Sequence, residues 1–113
     1  MSTTSIQDFD FVTAGMLKAL YGSFPEAIKL DPYTAGLSDE NATWSQAGTS
    51  TNTQEWKDLQ IQVILTAKWL AEEGYIRERA AGHGSKFIIT EVGLRALGIL
   101  FPETKLPKIL KIE

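Results

Sequence analysis

Few side chains in this 113-residue chain can do chemistry. Cysteine is absent and histidine occurs once, as His83. A thiolate site is therefore excluded, and a triad or a metal site can be built around no more than one imidazole. Glu72 and Glu73 are the closest approach to a carboxylate pair. Successive helical residues diverge by about 100°, so the two do not face each other as an acid and a base must. Gly82-His83-Gly84-Ser85-Lys86 has the glycines and lysine of a phosphate cradle but neither its spacing nor its strand–loop–helix setting. The expectation is a non-enzymatic protein with no cofactor and no metal.

Charge offers more. Residues 1–75 carry four Lys against ten carboxylates, net −6, whereas residues 76–113 carry seven Lys/Arg against four Glu, net +3. An acidic body with a basic C-terminal third can turn that third towards an anionic partner. The excess is still well below that of a dedicated nucleic-acid module. With 43% hydrophobic residues the chain has enough core for one globular domain. The start Met1-Ser2-Thr3-Thr4-Ser5 has no basic, apolar leader, and no apolar run approaches membrane-spanning length. A soluble, cytoplasmic protein with no membrane partner is expected, and Asn41-Ala42-Thr43 is then a chance match to a glycosylation pattern.

The element that must position any site is Asn52 to Gly74. Asn52 with Glu55 three residues on has the spacing of a helix-capping pair, and Gly74 is a natural left-handed stop. Trp56, Leu59, Val63, Ala67 and Leu70, widened by Ile64 and Ala71, form a core-facing stripe. Ile61, Leu65 and Trp69 recur at four-residue steps on the opposite face. Either the hairpin or tail of the same chain covers them, or they form an interface with a second subunit. Only the first turns of the helix are then left open to a ligand.

Before it, Asp8 or Asp10 can cap a helix whose buried side is Phe9, Val12, Met16, Leu20 and Phe24, closed by Gly22 and Pro25. Pro25 to Leu30 suits a short helical turn, and Asp31-Pro32-Tyr33 a reverse turn. Residues 34–51 form either a long loop or a loop with a helix over Ser38–Gln46. Trp44 there is a satellite core anchor or an exposed binding residue. After Gly74, Tyr75–Arg79 and Lys86–Thr90 read as two strands around a Gly-rich tip. Phe87 and Ile89 point one way, and Lys86, Ile88 and Thr90 the other. Thr90 can cap a last helix through Val92, Ala96, Leu97, Ile99 and Leu100, which Pro102 ends. Residues 102–113 alternate basic and apolar, as an extended arm lying on the apolar stripe of the long helix, in its own subunit or a neighbour's, would.

Trp69-Leu70-Ala71-Glu72-Glu73-Gly74-Tyr75-Ile76, a Gly-rich turn, and then Phe87-Ile88-Ile89-Thr90-Glu91-Val92-Gly93-Leu94 resemble the end of the third helix and the wing of winged-helix domains. Small bacterial and phage transcriptional regulators of that kind are the nearest match in pattern. The resemblance covers about residues 56–97 and, more loosely, the first helix. It implies an α+β, mainly α fold of three or four helices plus a two- or three-stranded wing hairpin. The winged-helix domain would span residues 1–101 and the C-terminal arm 102–113. It further implies binding to duplex DNA, with the third helix in the major groove and the wing beside the phosphates. Groove contacts would fall to Thr53, Gln54, Lys57 and Gln60, and wing contacts to Arg77, Arg79, His83, Ser85 and Lys86. Glu55 and Asp58 flank the only lysine on those reading turns, an arrangement unfavourable to phosphate. The alternative is a winged-helix protein-interaction module, with Ile61, Leu65 and Trp69 or the Trp44 loop meeting a homodimer mate or another protein.

Overall fold

Thr53, not Asn52, begins the long helix. Its hydroxyl accepts a hydrogen bond from Trp56 N, and helix α2 runs from Gln54 to Glu72. The carboxylate that Glu55 was expected to supply comes from a distant residue. Glu40 Oε2 accepts from Thr53 N at 2.9 Å and Oε1 accepts from Thr53 Oγ1 at 2.8 Å. Two N-terminal donors are thus met by a loop carboxylate in the position where the helix dipole favours negative charge. At the other end Gly74 adopts φ +86°, Gly74 N donates to Ala71 O, and Tyr75 N donates to Leu70 O. This is a Schellman stop, and Tyr75 completes it by stacking on Trp69 with ring centroids 5.9 Å apart.

A computed structural model describes residues 6–80 and 85–111. It is a small α+β domain, mainly helical, with three helices and a two-stranded antiparallel hairpin among those residues. Helix α1 spans Ile6–Ser23, strands β1 and β2 span Ile76–Ala80 and Ser85–Ile89, and helix α3 spans Glu91–Leu100. A single 3-10 turn follows at Lys108–Lys111. Val12, Met16, Leu17 and Leu20 of α1 pack against Val63, Ala67 and Leu70 of α2, Ile76 and Ile89 of the hairpin, and Leu94 and Leu97 of α3. Each such side chain contributes about 1.5–3 kcal/mol by leaving water, so this shared core outweighs any surface pairing in the chain.

Several local expectations are corrected. Asp8 lies within the first turn of α1, not ahead of it; Phe9 is only half-buried and Phe24 is exposed. Ile28 is extended, not helical, because it bridges to β2: Ile28 N donates to Phe87 O and Phe87 N to Ile28 O. That bridge covers the outer edge of β2. The turn expected at Asp31-Pro32-Tyr33 is present and extends through residue 37, with Asp31 Oδ1 accepting from Thr34 N and Thr34 Oγ1 accepting from Asp31 N. The turn sits close on α1, since a Cβ at Gly15 would lie 2.7 Å from Ala35 O. Ser38–Gln46 is not helical; the loop doubles back through a Trp44–Ser50 bridge.

The largest correction concerns α2. Its buried face takes in Gln62 and Thr66 and leaves Ile64 out. Ile61, Ile64 and Leu65 are 56%, 54% and 58% exposed, so neither hairpin nor tail covers them. Trp69 differs, because Phe9 meets its ring edge-on and Tyr75 lies over its face. The tail packs elsewhere, on α1 and α3. Tyr21 Oη donates to Lys105 O, Lys18 Nζ lies 4.0 Å from the Phe101 ring centre, and Leu106 abuts Gly98. A second apolar stripe on a helix announces an unmet hydrophobic face; what covers that face is not written in the stripe itself.

Candidate nucleic-acid interface

The hairpin register decides which cations meet. Ile76 pairs with Ile89, Arg77 with Ile88, Glu78 with Phe87, Arg79 with Lys86, and Ala80 with Ser85. Side chains of directly paired residues share a face, and alternate residues along each strand do likewise. Arg77, Arg79, Lys86 and Ile88 therefore share the outer face, opposite the one that buries Ile76 and Ile89. Arg79 stands directly across from Lys86, a like-charge pairing that costs stability unless an anion or solvent separates the two. Both side chains, and that of Arg77, are exposed.

Ser85 lies on the other face, where its hydroxyl donates to Glu78 Oε2. It borders a groove of about 510 Å³ between hairpin and α2, together with Gln60, Ile64, Lys68, Glu72 and Phe87. The structure thus brings Arg77, Arg79 and Lys86 together and sets Ser85 apart from them. His83 lies outside the described residues.

The first turns of α2 are less open than their sequence implies. The Thr53 hydroxyl is taken up by Glu40 and the cap. Gln54 Nε2 donates to Asp58 Oδ1 at 3.0 Å, which ties the amide to an acid one turn on. Lys57 and Gln60 line a cavity of about 380 Å³ beneath Trp44. Of the four expected groove contacts, Lys57 borders open space, whereas Gln60 Oε1 is closed off from solvent.

Two residues hold this end of the molecule: Glu40, which sequence reasoning missed, and Asn52, which it read only as a helix cap. Glu40 anchors the cap of α2, and its backbone carbonyl accepts from Trp56 Nε1 at 2.8 Å. Asn52 is 5% exposed; its Oδ1 accepts from Thr43 N, and its Nδ2 donates to Glu40 Oε2 and Asn41 O. Nothing local betrays Glu40, which lies thirteen residues before the helix it caps. The Thr53 backbone N–H, then the Asn52 amide and the Thr53 hydroxyl, hold the Glu40 carboxyl below its ordinary 4.5. A depressed folded-state pKa contributes stability above the unfolded value, lost as pH falls through the folded one. Glu40→Gln is expected to reduce the loss of thermal stability on acidification from pH 5 downward; an acid limb unchanged in thermal melts would remove Glu40 from that role.

Among the described residues there is no cluster of three or more His, Cys, Asp or Glu placed to hold a metal ion, and no helix is long and apolar enough to cross a membrane. Compared with models of known protein families, with curated proteins and with solved structures, the chain matches none.

Proposed function

We propose that this protein is a winged-helix, non-enzymatic transcriptional regulator of the cytoplasm that binds duplex DNA, with the hairpin as its wing. The order of elements supports the reading: helix, a one-residue strand at Ile28, a single turn at 31–37, the long helix, the hairpin. In this assignment the turn stands where a second helix is usual, and Ile28 is the third strand of the wing. The observation that carries the reading is the convergence of Arg77, Arg79 and Lys86 on one exposed face of β1 and β2. A β-ribbon with three cations abreast fits a phosphate backbone, and cations so placed orient a protein on duplex without reading sequence. On α2, Lys57 is the expected groove residue left available for base edges.

The test is duplex binding followed by fluorescence anisotropy as salt rises. Three phosphate contacts predict an affinity that falls about 40-fold between roughly 50 and 200 mM salt. Replacing Arg77, Arg79 and Lys86 together with alanine should abolish that dependence. A triple variant with the parent's affinity and salt slope would take the hairpin out of the reading.

A second reading is favoured by a separate observation, the outward row Ile61, Ile64 and Leu65. Three aliphatic side chains more than half exposed on one helix face suit a protein partner or a homodimer mate better than a DNA groove. Trp69, already packed on Phe9 and Tyr75, would border such an interface. Leu65→Asp separates the cases, since Leu65 contributes little to the core. Its thermal stability as a monomer is expected to stay near the parent's, while light scattering should show a dimeric parent reduced to single chains. A parent that is monomeric at every concentration would dismiss self-association through this face.

A further inference from the structure

We infer that the cavity between the Trp44 loop and the first turns of α2 is a binding site for an amino-bearing nucleobase with an attached phosphate, adenylate being the simplest ligand. The inference does not rest on duplex binding by the hairpin. Three observations point to it. Trp44 is 63% exposed, yet its backbone is fixed by the bridge to Ser50 and by Ser45 N donating to Thr49 O. An indole presented to water on a pinned backbone is a ready platform for stacking, whose loss on substitution by alanine weakens base binding about fivefold to a hundredfold. Gln60 also lines the cavity, and its Oε1 is closed off from solvent with no hydrogen-bond partner among the described residues. Such an oxygen wants a donor, and a glutamine amide matches the amino and ring nitrogen of adenine as donor and acceptor at once. Lys29 and Lys57 supply positive charge at the rim. Among the described residues Asp31 is the one acid in the lining, and it already accepts from Thr34 N.

At about 380 Å³ the cavity lies in the range of small-ligand sites. The base stacks on Trp44, the Gln60 amide turns so that Oε1 accepts from the amino group, and the phosphate lies towards Lys29 and Lys57. The same chemistry is presented by a free nucleotide and by an unpaired base of a strand, and the experiment separates them. Binding of AMP, IMP, oligo-dA and oligo-dT is measured by calorimetry with the parent, Trp44→Ala and Gln60→Leu. AMP is expected to bind at least tenfold more tightly than IMP, which lacks the amino group, and each variant should lose at least fivefold. AMP binding alone assigns a free nucleotide, and oligo-dA binding in preference to oligo-dT assigns an unpaired strand. If none of the four binds, or if AMP and IMP bind alike, or if Trp44→Ala binds as well as the parent, the site is not what the geometry says. Both substitutions fall on side chains outside the core, so circular dichroism should show the parent's fold. The Arg77/Arg79/Lys86 alanine variant should bind AMP unchanged, which keeps failure of this site distinct from failure of the hairpin.

Discussion

Gly93→Ala is expected to cost about 3 kcal/mol of folding stability, the largest loss expected from clash at any described glycine. A Cβ at this position would lie 2.2 Å from Tyr75 O and 2.7 Å from Ile89 Cγ1. The first of these is backbone and cannot swing away, because Tyr75 O already accepts from Thr90 N at the foot of the hairpin. Helix α3 would have to lift off the strand it starts from. Since alanine is favoured over glycine in a helix interior by about 1 kcal/mol, the clash must also overcome that gain. Gly22→Ala serves as the control, for a Cβ there meets nothing within 4 Å. Urea denaturation should show Gly22→Ala at or above the parent and Gly93→Ala far below it. Equal midpoints would mean that α3 does not pack on the hairpin as described.

The second large effect is expected at Asn52. Its side chain joins Thr43 N, Ser50 Oγ, Glu40 Oε2 and Asn41 O, four partners on three stretches of loop. Alanine there leaves buried partners unmet, each at about 1–3 kcal/mol where water cannot enter. Because the loop can relax into solvent, the net loss is expected near 2 kcal/mol, with the 41–51 segment released before the core unfolds. Amide hydrogen exchange should show faster exchange at Thr43 and Thr51 and little change in α1. A uniform rise across the whole chain would instead make Asn52 part of the global unfolding unit. Asn52→Asp should be worse than alanine, since it sets a second carboxylate against Glu40.

These two residues mark the boundary of what could be read in advance. The run from Trp56 to Gly74 and the cap at Thr90 rest on contacts within a few residues, the paired strands on alternation either side of a Gly-rich stretch, and the structure has them. The cap of α2 was placed one residue early because its carboxylate partner arrives from Glu40, where no spacing rule reaches. Ile28 looked helical by its neighbours but is extended by its pairing with Phe87, a tertiary override of local preference. The tail was placed on α2 because that helix has a bare apolar face; α1 and α3 offered a better one, with Tyr21, Phe101 and Gly98 in reach. At the candidate interface, alternation alone puts Arg77 and Arg79 on one face. Whether Lys86 joins them turns on the parity of the tip, and one residue more or fewer between Ala80 and Ser85 would have sent it to the other side.

The crossing of Arg79 with Lys86 has a consequence for how the ribbon responds to its surroundings. Left to themselves the two cations push the strands apart where the turn begins, so the hairpin is at its loosest when nothing negative lies across it. An anion that neutralises both would draw the strands together, and by thermodynamic reciprocity whatever tightens the ribbon must also raise its hold on that anion. Grip and stiffness in this part of the molecule are therefore one quantity seen from two sides.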